Sequence, residues 1–297
     1  MSYRVRSRRI VFMSFQTIIQ LLVNGILIGG VYGILSVGLT MIFGVLRVVN
    51  FAHGEFIMLA MYAAYWLSLL HSSDILAILL VTPVFFLFGI LIEKYIIHPI
   101  IDNPELSQVF TTMGVGIVMQ NAALILWRAD PRSKILFEEP MRLGFVMISF
   151  PRLRAFLIAA MVVTILSLIL TRTYLGKAIR ASAQNRNAAA MMGVNLSNIY
   201  AAAFGMGISM AGICGVLLLP IYPATPMVGL QFVLICFVVV VLGGLGSISG
   251  ALVGGLIIGI IESFSGFLLD PALKSVVYFI VFILVLLFRP KGLFGMV

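Results

Sequence analysis

Charge is what this 297-residue sequence has least of: Asp, Glu, Lys and Arg together make up 10% of it, against roughly 25% in a soluble domain. A chain so short of charge cannot clothe a soluble globule of this size, and it lacks the polarity of a disordered one. Cysteine is nearly missing. Cys214 and Cys236 lie in apolar stretches without CxxC spacing, so neither a disulfide framework nor a zinc site is indicated. Catalytic signatures are absent as well, with no GxSxG and no HExxH. His71 and His98 are expected in loops, and no histidine stands at a useful helical spacing from a carboxylate.

Apolar residues, by contrast, make up 62% of the sequence. At about 20 residues per crossing, that is enough for about nine membrane spans. The fold class expected is therefore all-α: a polytopic integral membrane protein of about eight, at most ten, transmembrane helices. Candidate spans are residues 11–46, 51–70, 75–92, 109–127, 155–170, 199–219, 230–242, 251–269 and 276–288. The first is too long for one ordinary crossing. Gly25, Gly29, Gly30 and Gly33 are expected to break it into a hairpin or an interrupted helix. Arg4, Arg6, Arg8 and Arg9 imitate the start of a signal peptide. Gln16, Gln20 and Asn24 interrupt the apolar run, however, and no A-x-A site follows, so this segment is expected to stay in the membrane.

The whole chain, residues 1–297, reads as one transmembrane domain with two charged loops. Its 19 basic residues outnumber the 10 acidic ones. In a soluble chain that excess would suggest an anionic partner such as nucleic acid; here it is assigned to the positive-inside bias. Residues 172–198 carry Arg172, Lys177, Arg180 and Arg186 and no acid, and the tail carries Arg289 and Lys291. Both are expected on the cytoplasmic side. Residues 128–154, with six basic and three acidic residues and alternating apolar stretches, are then expected outside as a small folded loop.

Three groups of residues suggest chemistry. Asn50, His53 and Glu55 stand beside an apolar run, where polar groups are costly unless they face a cavity or a partner. The plainer role is structural, with Asn50 as a helix N-cap and Glu55 on the positive end of the helix dipole. His53 and Glu55, two residues apart, point to different faces. Residues 176–193, alanine-rich between Gly176 and Gly193, predict a short helix outside the membrane with Ala188, Met191 and Met192 in an apolar stripe. It would rest on lipid headgroups or insert into another protein. The glycines from Gly243 to Gly259 lack the Lys of a phosphate loop and suit close helix packing. Glu262 follows as a second intramembrane acid, with Gly266 one turn later on the same face.

At these residues the sequence resembles a known family. Asn24-Gly25 to Tyr32-Gly33, Gly38-Leu39-Thr40 and Asn50-Phe51-Ala52-His53-Gly54-Glu55 look like the opening of the LivH-type permease of bacterial branched-chain amino acid ABC importers. Residues 175–181 and 190–195 are similar to that family's coupling loop, and residues 242–248 and 289–295 to its C-terminal half. The similarity runs from about residue 20 to residue 295.

The resemblance implies a non-enzymatic translocation subunit in the bacterial inner membrane, with no cofactor. It implies pairing with a second related permease, two cytoplasmic ATPase subunits and a periplasmic substrate-binding protein. Residues 172–198 become a cytoplasmic coupling loop, with Gly176, Arg180, Ala189, Ala190 and Gly193 at the ATPase contact, and residues 128–154 a periplasmic loop. One departure is Asn187, where many such permeases carry Glu before Ala-Ala. Asn50, His53, Glu55 and Glu262 are the candidate pathway residues, and a branched-chain or similar small amino acid is the expected cargo. Urea or short amides are the alternative cargo. An ion-driven secondary transporter or channel using Glu55 and Glu262, or a membrane-embedded enzyme using His53 and Glu55, are the alternative classes.

Overall fold

A computed structural model describes residues 14–70, 73–134, 139–269, 273–289 and 291–295. The N-terminal arginines, His71 and Pro290 lie outside the described residues.

Long apolar runs become helices, and short polar side chains mark where many of them begin. Ser14 caps α1 (Phe15–Leu46) by accepting from the Thr17 amide at 3.2 Å. Ser73 does the same for α3 (Asp74–Ile92), and Asn195 for α8 (Leu196–Leu218). Ser247 caps α10 (Ile248–Leu268). The other membrane-length helices are α4 (Glu105–Trp127) and α5 (Phe150–Arg172); α2 (His53–Leu69), α9 (Val228–Gly243) and α11 (Lys274–Phe288) are shorter. Among the described residues, six helices are long and apolar enough to cross a membrane. Two short helices, α6 (Tyr174–Gln184) and α7 (Arg186–Met191), follow α5. A hairpin of β1 (Met141–Leu143) and β2 (Val146–Ile148) precedes it, with Met141 opposite Ile148.

The expected break in the first span does not occur. α1 runs unbroken for 32 residues, about 48 Å at 1.5 Å per residue. Its glycines serve close packing instead. A Cβ on Gly25 would lie 2.6 Å from the Ile260 Cα, and one on Gly29 would lie 2.8 Å from the Gly255 carbonyl oxygen. Gly255 and Gly259 of α10 answer with the same requirement toward Gly29 and Gly33. This is a small-residue seam between two membrane helices.

Contacts give the molecule two ends. Gln20 near the start of α1 bonds to both backbone groups of Met147 in the hairpin, at 2.7 and 2.8 Å. The end of α1 meets the α9–α10 turn, where a Cβ on Gly44 would lie 3.3 Å from Gly246. α5 leaves the hairpin end and delivers α6 and α7 to the opposite end. There Arg186 on α7 pairs with Asp102 at 2.9 Å, and the tail bonds to the end of α9 through Leu293 and Phe294.

Between these ends the chain repeats itself upside down. Helices α1 to α4 and α8 to α11 follow one plan: a long helix, a non-helical return, a short helix, then two more helices. α1 packs on α10 as α8 packs on α3, and α2 packs on α8 as α9 packs on α1. Both long pairs close on glycine: a Cβ on Gly89 of α3 would lie 2.8 Å from the Gly205 Cα of α8. α1 and α8 meet each other at Gly38 and Gly207, and α2 and α9 meet at Gly54 and Gly229.

Candidate functional site

The two non-helical returns carry the site. α1 ends at Leu46 and Arg47 turns left-handed, with φ 57°. Residues 47–52 then climb back along α1. His53, the first residue of α2, donates from Nε2 to the Leu35 carbonyl at 3.2 Å. Leu35 lies eleven residues before the end of α1, about 16 Å up the helix. α2 therefore starts at mid-depth and runs to the hairpin end, where Tyr62 stacks on Trp127 with ring centres 4.3 Å apart. In the other half, residues 219–227 turn back. Tyr222 shares a 3.1 Å hydroxyl contact with Tyr32 in the middle of α1, and α9 starts at the depth of Glu55.

Backbone without helical bonds survives at this depth only inside protein or beside a cavity. Thr112 of α4, fully buried, accepts from the Phe51 amide at 3.3 Å and reaches the Val49 carbonyl at 3.1 Å. Phe51 lies against Phe237 with ring centres 4.7 Å apart. Asn50 takes a different place from the one its sequence suggests. The cap position of α2 belongs to Ala52, which makes no side-chain cap bond; Asn50 Oδ1 accepts from the Ala52 amide at 3.1 Å, one turn earlier. Its short side chain stabilises the return itself rather than the helix start.

His53 and Glu55 point apart, as their spacing requires. His53 is fully buried against α1, and its Nδ1 has no partner among the described residues. Glu55 is 7% exposed and faces the gap between α4 and α9, where it lines a small cavity of about 130 Å³ with Phe51, Gly116 and Leu230. A Cβ on Gly229 would lie 2.5 Å from Glu55 Oε2. Glu55 is the third residue of α2, and Gly229 the second of α9. The carboxyl group thus sits at two helix N-termini, each carrying partial positive charge and neither capped by a side chain.

Glu262 belongs to a second cavity. This one encloses about 520 Å³ among α1, α5, α9, α10 and α11, and Gly266 lines it one turn beyond Glu262. Of the four candidate pathway residues, Glu55 and Glu262 line cavities; Asn50 and His53 are buried in the packing that positions α2. Reading the sequence missed Gly229, Thr112 and the Tyr32–Tyr222 contact, and gave Gly54 no role of its own. The signals were present as glycine and threonine inside apolar runs, but nothing local says which runs meet. It missed Glu93 too: a π turn over Glu93–Ile97 brings His98 Nδ1 to Glu93 Oε1 at 3.1 Å, a five-residue spacing that the search at ordinary helical spacings passes over.

At the other end, the single short helix expected for residues 176–193 is two. Asn185 breaks it and caps α7 at the Ala188 amide, 3.0 Å away. A Cβ on Gly176 would lie 2.5 Å from the Ile169 carbonyl oxygen, so glycine lets α6 fold tightly onto the end of α5. Gly193 is left-handed at φ 85°, and the Gly193 and Val194 amides bond to Ala190 and Ala189. That pair of bonds is the Schellman closure. Ala189 is buried; Arg180 and Ala190 are exposed, and Met191 and Met192 are 81% and 85% exposed at the tip.

The hairpin end holds its basic residues differently. Lys134 and Arg154 both reach Asp74, at 2.7 and 3.4 Å, and Arg132 lies over the Tyr65 ring. The acid that organises this loop, Asp74, is the first residue of α3, outside the segment whose charges the sequence compares.

Two short helices whose N-termini meet at a buried carboxyl group, set among six helices long and apolar enough to cross a membrane, describe a polytopic membrane protein. Comparison with known proteins is specific. The chain belongs to the family of branched-chain amino acid transport system permease components, whose pattern matches residues 21–286. It is 33% identical to the high-affinity branched-chain amino acid transport system permease protein BraD of Pseudomonas aeruginosa, over 93% of this chain and 95% of that one. It is 30% identical to LivH of Escherichia coli K12, over 95% and 96% respectively. A probable LivH of Methanocaldococcus jannaschii is 28% identical over 93% and 92%. No solved structure matches.

Proposed function

We propose that this chain is the translocation subunit of an ATP-driven importer that moves branched-chain or similar small amino acids across the bacterial inner membrane. The cargo follows the relatives, whose names give branched-chain amino acid transport. The chain pairs with a second, related permease. Two cytoplasmic ATPase subunits drive it, and a periplasmic binding protein delivers cargo. The end that holds α6 and α7, a segment carrying four basic residues and no acid over 172–198, together with the basic tail, is cytoplasmic, and the hairpin end is periplasmic.

One observation carries the reading: the α6–α7 tip. Its two methionines, 81% and 85% exposed, are among the most exposed large apolar side chains of the described residues, held out on a closed Schellman turn of a helix that also carries the exposed Arg186. Adaptable apolar knobs of this kind suit a groove on a partner protein. Gly176, Ala189 and Gly193 shape the tip, while Arg180 and Ala190 join the methionines on its surface. Glu55 and Glu262 are the pathway residues, and Asn50 and His53 hold α2 in place for them.

A cysteine at position 191, in a background lacking Cys214 and Cys236, tests this. It is expected to cross-link to a co-purifying ATPase subunit, with the yield changing when ATP is added. Cross-linking to lipid alone would contradict the coupling role.

A further inference from the structure

The larger cavity has the volume of a small-molecule site. Its 520 Å³ falls inside the range of roughly 300–1,000 Å³ typical of ligand pockets. Its walls carry one group of each charge. Glu262 on α10 has its carboxyl group within reach of the Tyr32 and Tyr222 hydroxyls but no cationic partner among the described residues, and its Oε2 is buried without a close hydrogen bond. Arg152, in the first turn of α5, makes no ion pair with any described acid. Glu262 and Arg152 face the same space without closing on each other, and Tyr222 lies within electrostatic reach of both. An ionised carboxylate without a counter-ion on a membrane helix is costly, so a cavity that holds Glu262 and Arg152 apart suits a ligand lying between them.

The remaining wall is partly amide and partly apolar. Asn24 and Gln231 supply donors and acceptors, while Leu21, Ile28, Ile235 and Phe267 supply an apolar surface. One carboxylate, one guanidinium and an apolar wall match a small zwitterion with an apolar side chain. Its ammonium would sit on Glu262 and its carboxylate on the Arg152 fork, with the side chain against the apolar wall.

We infer that this cavity is a transit site within the permease itself, taking a free, zwitterionic α-amino acid with an apolar side chain. The inference rests on the import function proposed above, and it places amino-acid recognition inside the membrane subunit as well as in the delivering protein. Asn24 lies in the third turn of α1 and Arg152 in the first turn of α5, both toward the hairpin end, so the site is reached from the side where cargo is delivered.

The test uses the permease purified with the subunits that co-isolate with it, in lipid nanodiscs and without binding protein. Protection against thermal unfolding is titrated with L-leucine, with 4-methylpentanoate, which lacks the ammonium, and with 3-methylbutylamine, which lacks the carboxylate. L-leucine is expected to protect at concentrations about tenfold or more below either analogue, the size of one charged hydrogen bond lost. Glu262→Gln is expected to erase the preference for L-leucine over 4-methylpentanoate while keeping the preference over the amine. Arg152→Gln is expected to do the reverse. Glu262→Asp and Arg152→Lys restore part of each preference, and serve the same comparison if the amide variants fold poorly. Equal loss of all three ligands in each variant, or no preference in the wild type, would overturn the site. Uptake is measured alongside. Uptake that needs ATP and binding protein but is accompanied by no leucine protection overturns the site and leaves import standing; protection without such uptake overturns import.

Discussion

Glu55 and Gly229 face each other where the short helices α2 and α9 begin, so close that a methyl group on Gly229 would overlap the Glu55 carboxyl group. Absence of a side chain on α9 is thus what lets an acid from α2 sit between two positive helix ends. Gly54 makes the same demand in return, toward the Gly229 carbonyl. The junction is built from both halves of the inverted repeat, and neither half forms it alone.

Gly229→Ala tests that junction. The added carbon overpacks a buried site and pushes Glu55 away, at a cost of about 1–3 kcal/mol. A lower melting temperature of the purified complex and a loss of most uptake are expected. Wild-type melting and wild-type uptake together would show that the junction tolerates bulk.

Glu55→Gln keeps the shape of the side chain but gives up its interaction with the helix ends, about 0.3–1 kcal/mol at each. Uptake should fall modestly with an unchanged pH profile, because no proton needs to move through Glu55 when ATP supplies the energy. Glu55→Leu should be worse, since it removes the polar contacts too. Loss of all uptake in Glu55→Gln, with a shifted profile in the conservative Glu55→Asp, would assign the residue a titrating role.

Gly193 closes α7 at φ 85°, where any side chain is strained. No atom would meet a Cβ there, so Gly193→Ala should cost only about 1 kcal/mol. Gly193→Trp should leave membrane insertion intact and abolish uptake, by displacing Met191 and Met192 from their partner. Normal uptake by Gly193→Trp would remove the α7 tip from the coupling surface.

Sidedness is checked with single cysteines in a background lacking Cys214 and Cys236. In intact cells an impermeant thiol reagent should label position 145 in the hairpin turn and spare position 184 at the end of α6. The opposite pattern would invert the topology.

Much of the fold was open to reading. Charge scarcity and apolar runs give a helical membrane protein, although the caps Ser14, Ser73 and Asn195 that set where three of the helices start went unread. Gly193 was legible for a local reason, since only glycine takes its backbone angle at no cost. Gly25, Gly29 and Gly33 misled because a glycine that breaks a helix and one that admits a neighbour look identical in sequence. The neighbour here is α10, more than two hundred residues away. Asn50 misled for a similar reason: it stands three residues before α2 and stabilises a return that exists only because α1 and α4 wall it in. The inverted repeat was invisible because its halves share a plan of lengths and crossings rather than a run of residues. Glu262 drew suspicion as a lone acid, whereas Arg152, its counterpart across the cavity, reads as one more loop charge until α5 is docked.

The most direct measurement is uptake of labelled L-leucine into proteoliposomes holding this chain with its partner subunits. ATP, binding protein and ion gradients are each supplied or withheld in turn. An ATP-driven importer predicts uptake only when ATP and binding protein are both present, unaffected by a protonophore. Uptake that proceeds without ATP and collapses when the ion gradient is dissipated would contradict it, and would make Glu55 and Glu262 ion ligands of a secondary transporter.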